Sequence, residues 1–537
     1  MLPIILILSA FVLVIAYRFY GRFLSQRCQL DDSRPTPAKS NNDGVDFVPT
    51  HHAMLFGHHF SSIAGAGPIV GPILATMYFG WGPTLIWILL GAIFVGGVHD
   101  FGSTLMSIRN QGRTISQVTK DLISPRTAKF FRIFLFLALV YVIIVFLDLT
   151  ATTFVSSPAV ATASGWFIAF ALLFGLALRM MRLPIWATLL FFVPVTFAGL
   201  WVGHLFPAGG PSKEFWILAI VIYCFVAAVL PVNVLLQPRD FLSSMFLYVM
   251  MGLGVVGLLF SGEAMQVPVF HGFTTDHVNP GYLFPVLFIT VACGACSGFH
   301  SMVSSGTTSK QIKRESDTRR VAYGSMLVEG LLAVFALATI AILSESDVQG
   351  KSPVAIFSIG AAVFMKTLGI PQELGMEFTA LTVSTFLLTT LDTCTRLARF
   401  LIEEFFEWRN ESSRYAGTFI VLLIPAVFAF QTFNGLPAWK AIWPLFGATN
   451  QLMAALALVT FVVYLKHNAV RYRFALIPAA FMLVTPLVAL GFMVIDSELG
   501  LTLQGISLAM LVLGLYVSGM SLKFVFNPNT LTAPASP

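Results

Sequence analysis

Residues 57–72 read Gly57-His58-His59-Phe60-Ser61-Ser62-Ile63-Ala64-Gly65-Ala66-Gly67-Pro68-Ile69-Val70-Gly71-Pro72. Apolar sequence flanks this stretch, so it lies where a membrane-spanning helix should run. It cannot run as one regular helix. Pro68 and Pro72 each remove a backbone donor and clash with the carbonyl four residues back. Gly65, Gly67 and Gly71 tolerate unwinding and let another helix come close. The stretch predicts a span interrupted near Gly65–Pro68.

Two further places share this character. One is Val229-Leu230-Pro231-Val232-Asn233-Val234-Leu235-Leu236-Gln237-Pro238-Arg239-Asp240. The other is Cys293-Gly294-Ala295-Cys296-Ser297-Gly298-Phe299-His300-Ser301, running on into Ser304, Ser305, Gly306, Thr307 and Thr308. Counted along the chain, the first interruption falls in span two, the second in span seven and the third in span nine. An offset of five spans makes spans two and seven cross in opposite directions, which is the arithmetic of an inverted repeat. Discontinuous helices at matching positions point to a midplane substrate site. The expectation is a pair of helices, 55–79 and 214–235, broken near Gly65–Pro68 and Pro231–Asn233 and crossing beside one another. Gly and Pro are also common in ordinary membrane helices, where small residues serve packing. That is the structural alternative.

Composition sets the solvent. Of 537 residues, 57% are hydrophobic and only 10% charged, against about 25% charged in soluble domains. The mean hydropathy is +0.84. Lipid must therefore face much of the surface, and only helices and closed barrels satisfy their backbone there. Apolar runs of about 20 residues indicate helices, without the alternation of a barrel. We expect an all-α polytopic protein of about 15 spans. Their cores are 3–20, 55–79, 83–108, 127–152, 162–181, 183–204, 214–235, 240–260, 282–305, 318–343, 375–402, 414–432, 440–465, 472–495 and 502–525. Segment 352–368 reads as a shorter interfacial or re-entrant helix.

The implied organisation has three parts. Residues 1–53 form one span and a flexible cytoplasmic loop. Residues 54–405 form a LeuT-like 5+5 inverted-repeat core, with repeats at 54–204 and 214–405. Residues 406–537 add C-terminal spans and a tail. Met1 to Tyr20 lacks a positive n-region and reads as an uncleaved span. With its N-terminus outside, all of the 31 Lys and Arg residues fall on the cytoplasmic side except Lys213, Lys351, Lys366 and Lys440. Glu263, Asp276, Glu345, Asp347, Asp496 and Glu498 then fall outside. The positive-inside rule thus orients the chain in the cell inner membrane with a cytoplasmic C-terminus. Cys28, Cys224, Cys293, Cys296 and Cys394 suggest neither a disulfide framework nor a zinc site.

Several stretches carry a family likeness. They are Asp46-Phe47-Val48-Pro49-Thr50, Phe56-Gly57-His58-His59-Phe60, Ile63 to Pro72, Leu230 to Phe241, Ser297 to Lys310, Tyr323-Gly324-Ser325-Met326-Leu327-Val328-Glu329, Thr389 to Phe400 and Pro444-Leu445-Phe446-Gly447-Ala448-Thr449-Asn450-Gln451-Leu452. In these, from about residue 40 to about 465, the chain resembles the carbon starvation protein A (CstA) family. The resemblance implies a secondary transporter of the amino acid–polyamine–organocation superfamily, linked to peptide or pyruvate uptake under nutrient limitation. Long members of that family carry additional C-terminal sequence.

Ionisable groups inside spans cost at least about 2.5–3.5 kcal/mol on insertion scales and so need a reason. Asp148, Glu329 and Asp392 are the candidates for ion coupling, as proton carriers or as structural partners. Arg396 stands four residues after Asp392, the spacing of an intrahelical ion pair. Alternatively, Arg396 or Arg399 meets a substrate carboxylate. Snorkelling at a helix end would explain His99 and Asp100. Ser301, Ser304, Ser305 and Thr308 offer hydroxyls for sodium. Candidate substrate contacts are His58, His59, Gly65, Ala66, Gly67, Pro68, Pro231, Asn233 and His300. The histidines lack carboxylate or cysteine partners at ligand spacing, so no metal site is expected, nor any cofactor or nucleic-acid partner. Asn450 and Gln451 suit interhelical hydrogen bonding. The leading reading is import of a small anionic nutrient, pyruvate or a short peptide, with a proton or sodium ion. A nutrient receptor without net transport is the alternative. An enzyme is disfavoured, because no GxSxG, HExxH or Walker motif is present.

Overall fold

The structure is a computed structural model that describes residues 1–44, 46–180, 185–230, 235–279, 281–408, 411–433, 435–496 and 498–526. Its elements in chain order are α1 (Leu2–Arg27), the pair α2 (His52–Ile63) and α3 (Gly67–Phe79), α4 (Trp81–Arg109), α5 (Ile115–Leu122), α6 (Pro125–Ser156), α7 (Pro158–Met180), α8 (Ile185–Leu205), α9 (Lys213–Val229) and α10 (Leu236–Phe260). They continue with the pair α11 (Leu283–Thr290) and α12 (Phe299–Gly306), α13 (Arg319–Ala341), α14 (Pro353–Lys366), α15 (Gln372–Phe405), α16 (Glu411–Ala429), α17 (Ala438–His467), α18 (Arg473–Ile495) and α19 (Leu501–Phe526).

Among the described residues, 11 helices are long and apolar enough to cross a membrane, and α2 with α3, bent by 47°, makes a twelfth. The protein is a multi-pass, all-helical membrane protein. Shorter or interrupted helices occupy the expected spans at 183–204, 214–235 and 282–305. Burial varies widely. In its most apolar window α17 is buried throughout, whereas α1 is 28% buried and turns most of its surface outward. Lipid replaces water around such a face, so an exposed Ile or Phe there costs nothing.

The first interruption is where the glycines and prolines put it. Helix α2 stops at Ile63, and Gly67 and Pro68 start α3. Its crossing partner differs from the expectation. Helix α9 packs on α6, α15 and α16, whereas α3 packs on α11 and α13. The expected second break near Pro231–Asn233 lies outside the described residues. The helix that meets the first break is the one interrupted between Thr290 and Phe299. Two glycines make that approach possible. A Cβ on Gly67 would stand 2.4 Å from the Cys293 side chain, and one on Gly71 2.5 Å from the Thr290 carbonyl oxygen.

Both helices that follow a break contain a π-helical turn, Gly91–Gly96 in α4 and Arg319–Tyr323 in α13. Such turns re-aim the side chains that follow them and recur at functional sites. Helix α4 packs on α12, as α13 packs on α3, and the two longest helices, α6 and α15, lie along each other.

The segment expected to be a flexible linker is docked. Arg109 donates to the Cys28 and Gln29 carbonyls at 2.9 Å each and pairs with Glu315 at 2.7 Å. The Asp31 backbone N–H donates to Glu315 at 2.7 Å, and the Ser316 N–H to Asp32 at 2.8 Å. Segment 352–368 contains α14, a 14-residue helix packed among α3, α10, α13 and α15.

Candidate functional site

Two buried clusters of charged groups flank the end of α2. The first lies where the helices of both breaks meet. His59 comes from α2, His99 and Asp100 from α4 after its π turn, His300 from the first turn of α12, and Glu329 from α13 after its π turn. All five are at most 1% exposed, so the expectation that His99 and Asp100 snorkel at a helix end is overturned. His300 stands at the centre. Its Nδ1 lies 2.9 Å from Asp100 Oδ2, and its Nε2 lies 3.4 Å from Glu329 Oε2. His99 Nδ1 lies 2.7 Å from Asp100 Oδ1. His59 Nδ1 lies 2.8 Å from the Thr308 hydroxyl.

Hydrogen bonding is unequal within this cluster. Asp100 receives two imidazoles. Neither oxygen of Glu329 has a hydrogen-bond partner among the described residues, and His59 Nε2, His99 Nε2 and His300 Nε2 also lack one. A buried polar group left in that state is costly. Every charged or chargeable group here is a histidine or a carboxyl. The cluster can therefore take up or release a proton without breaking a pair held by a permanent cation.

The second cluster is built differently. The Arg239 side chain is fully buried, and its guanidinium grips both oxygens of Asp392, with Nη2 3.1 Å from Oδ1. The Tyr223 hydroxyl donates to Asp392 at 3.0 Å and accepts from Arg239 at 2.6 Å. Arg239 Nη2 also donates to Asp240 at 2.6 Å, and His58 Nδ1 stands 4.0 Å from the other Asp240 oxygen. This bidentate, charge-assisted arrangement is the strong form of an ion pair.

It corrects the expectation for Asp392, whose partner is Arg239 on another helix, not Arg396. The Arg396 side chain instead caps the end of α9, donating to the Ala227 and Leu230 carbonyls at 2.8 and 2.6 Å. Asp148 is committed as well. It pairs with Lys213 and accepts the Trp439 backbone N–H at 2.9 Å at the start of α17.

The sodium hydroxyls are mostly engaged. Ser301 donates to the Gly298 carbonyl at 2.7 Å, Ser305 to the Ser301 carbonyl at 2.6 Å, and Thr308 meets His59. Ser304 alone of the four has no partner among the described residues. Gly65, Ala66, Gly67 and Pro68 lie at the first break as expected, and Pro231 and Asn233 lie outside the described residues. A hydroxyl the sequence reading passed over, that of Thr390 on α15, stands 2.9 Å from where a Cβ on Gly65 would be and has no partner among the described residues. Asn450 satisfies the second break. Its side chain accepts from the Phe299 N–H at 3.1 Å and meets Ser297 and Cys293, and its carbonyl accepts the Gly298 N–H. Gln451 donates to the Phe288 carbonyl. Interhelical hydrogen bonding is thus what both residues do. All five cysteines are free and buried.

Sequence reasoning missed Arg239, Asp240 and Tyr223. A signal was available: Arg239-Asp240 follows Pro238 at the head of an apolar run, where two charges need partners inside the bundle.

A family model described as carbon starvation protein CstA matches residues 2–353 and 343–489. The chain is 34% identical over 553 residues to the peptide transporter CstA of Helicobacter pylori, covering 88% of this chain and 79% of that one. It is 32% identical to the peptide transporter CstA of Bacillus subtilis, covering 97% and 96%. It is 30% identical to the pyruvate/proton symporter BtsT of Escherichia coli, covering 91% and 81%.

Proposed function

Because the chain belongs to the carbon starvation CstA family, we propose that it is a secondary active transporter that imports a small anionic nutrient, a short peptide or pyruvate, on an inward proton gradient. Glu329, His300 and Asp100 hold the coupled proton. The observation that carries this reading is the Glu329 carboxyl: fully buried, without a hydrogen bond among the described residues, and 3.4 Å from a histidine that is itself bound to Asp100. One relative named a pyruvate/proton symporter supports the choice of ion. So do the serine and threonine hydroxyls, which are spent on backbone carbonyls and His59 more than they are offered to sodium.

The substrate passes between the two breaks. There Gly67 and Gly71 of α3 bring the first break against Thr290 and Cys293 of the second. The pattern of elements supports an inverted repeat with revised bounds. Each half opens with a broken helix, continues with a helix bearing a π turn, then a short helix, then the longest helix of that half, of 32 or 34 residues. The halves are then residues 52–180 with 236–260, and residues 283–467. Helices α8 and α9 are an insertion, and α1, α18 and α19 are additions. The N-terminus is outside and the C-terminus cytoplasmic, in the cell inner membrane.

The test is uptake by purified protein in liposomes. Pyruvate or a dipeptide should accumulate only when an inward proton gradient is imposed. Accumulation without a gradient, or with a sodium gradient alone, would sink the proposal.

A further inference from the structure

A cavity of about 620 Å³ opens beside the crossing of the two broken helices, apart from both charge clusters. Leu74 of α3 and Thr290 of α11 reach into its wall from that crossing. The charged side chains at its rim, Asp276 and Lys440 among them, fall on the face that the charge bias assigns to the outside. Its volume is in the range of small-molecule sites, about 300–1,000 Å³.

The wall is aromatic. Tyr78, Trp439, Trp443 and Phe492 line it. Trp443 is 4% exposed, and its indole N–H has no acceptor among the described residues. The rim carries both signs of charge. Lys440 and Asp276 are exposed, and neither makes an ion pair among the described residues. His277 stacks on Tyr78, with ring centroids 5.2 Å apart. Partial burial, with Lys440 close by, pushes this imidazole below its ordinary value. At neutral pH it therefore adds surface more than charge.

Asp496 and Glu498 also line the chamber, with Asp496 engaged by Asn279 and the Glu498 N–H. The aromatic wall with the ammonium of Lys440 and the carboxylate of Asp276 matches a specific kind of ligand. That ligand has an apolar body and two opposite charges. A three-carbon keto acid has a single charge and would leave most of the chamber to water.

We propose that this cavity is an outer capture site for zwitterionic short peptides bearing an aromatic or bulky apolar side chain. Lys440 takes the carboxylate and Asp276 the amino group, and the rings of Tyr78, Trp439, Trp443 and Phe492 take the apolar side chain. This rests on the transport reading only for calling the site a point of capture.

The experiment is isothermal titration of the full chain in detergent, with Ala-Phe, its C-terminal amide and pyruvate as probes. Ala-Phe should bind, the amide more weakly, and pyruvate should not displace Ala-Phe. Lys440→Gln should weaken Ala-Phe about tenfold, the loss of a hydrogen bond to a charged group, and leave the amide unchanged. Trp443→Phe should weaken both. Equal weakening of acid and amide by Lys440→Gln, full binding by both variants, or displacement by pyruvate would overturn the site. The two readings fail separately. Silent titrations beside gradient-driven uptake in liposomes remove the capture site alone. The expected titrations without any uptake remove transport alone.

Discussion

His58 and His59 are neighbours on α2, yet each faces a different buried cluster. His59 looks toward Thr308 and the Asp100–His300–Glu329 group. His58 looks toward Asp240, Arg239 and Asp392. Both clusters are buried and both contain carboxylates. They differ in the kind of cation. Imidazole can lose its charge near neutral pH, whereas guanidinium cannot. They differ also in hydrogen bonding: both Asp392 oxygens have donors, and among the described residues neither Glu329 oxygen has one. A buried carboxylate is therefore not a proton carrier by virtue of burial. The partner decides: a permanent, bidentate cation locks the charge in place, and a histidine leaves it free to change.

The sharpest way to break this comparison is Asp392→Asn. Removing one partner of a buried pair costs about 3–5 kcal/mol, so the variant should purify poorly and melt well below the parent in detergent. The triple variant Arg239→Met with Asp240→Asn and Asp392→Leu, which leaves no carboxylate of the cluster without its cation, should regain most of that loss. A single variant that melts like the parent would show the pair to be dispensable.

Glu329→Gln should behave in the opposite way. The amide keeps the volume and cannot titrate, so folding and counterflow exchange should survive. With one proton per substrate, a one-unit pH gradient is worth about 1.4 kcal/mol, or tenfold accumulation. The variant should lose all of it. The measurement is the ratio of gradient-driven uptake to exchange in the same vesicles. A ratio equal to the parent's would remove Glu329 from the mechanism.

Arg239→Lys asks whether geometry matters beyond charge. An ammonium cannot reproduce the fork that meets both Asp392 oxygens. We expect destabilisation of about 1.5–3 kcal/mol, the range for a hydrogen bond to a charged group, with accumulation per folded molecule unchanged. A lysine variant as stable as the parent would show that charge alone holds the cluster together.

The smallest effect belongs to Asp148→Asn. This side chain caps α17 and pairs with a half-buried lysine, so the amide should cost about 1 kcal/mol and leave gradient-driven uptake intact. Loss of accumulation with unchanged melting would return Asp148 to the list of coupling groups.

The sequence reading went furthest where the signal is local. Apolar runs located the helices, and Pro68 and Pro72 with three glycines located the first break. The second break was recognised at Cys293–Ser301 as irregular, but Pro231 and Pro238 drew the crossing elsewhere. The reason is that α11 and α12 are held apart by Asn450, a residue of α17 more than 150 positions away in sequence. Nothing near Cys293 announces that support. Asp392 shows the same limit. Arg396 has the right spacing for a helical pair, but a face turned toward α10 offered Asp392 a guanidinium with two matching donors. His99 and Asp100 read as surface residues because a π turn, invisible in the pattern of residues, precedes them and helps to carry them inward.

The docked segment after α1 has a consequence for how the chain is made. Its latch joins Asp31 to Glu315, 284 positions further along the chain. At about 5–20 residues per second of synthesis, Asp31 waits roughly 15–60 s for its partner to emerge. Until then the polar groups of residues 28–32 stay with water at the membrane surface while helix after helix is inserted behind them. The oldest part of the chain is thus among the last to find its place. A ribosome that stalls before residue 315 leaves it unclaimed, open to any protease that inspects unfinished proteins.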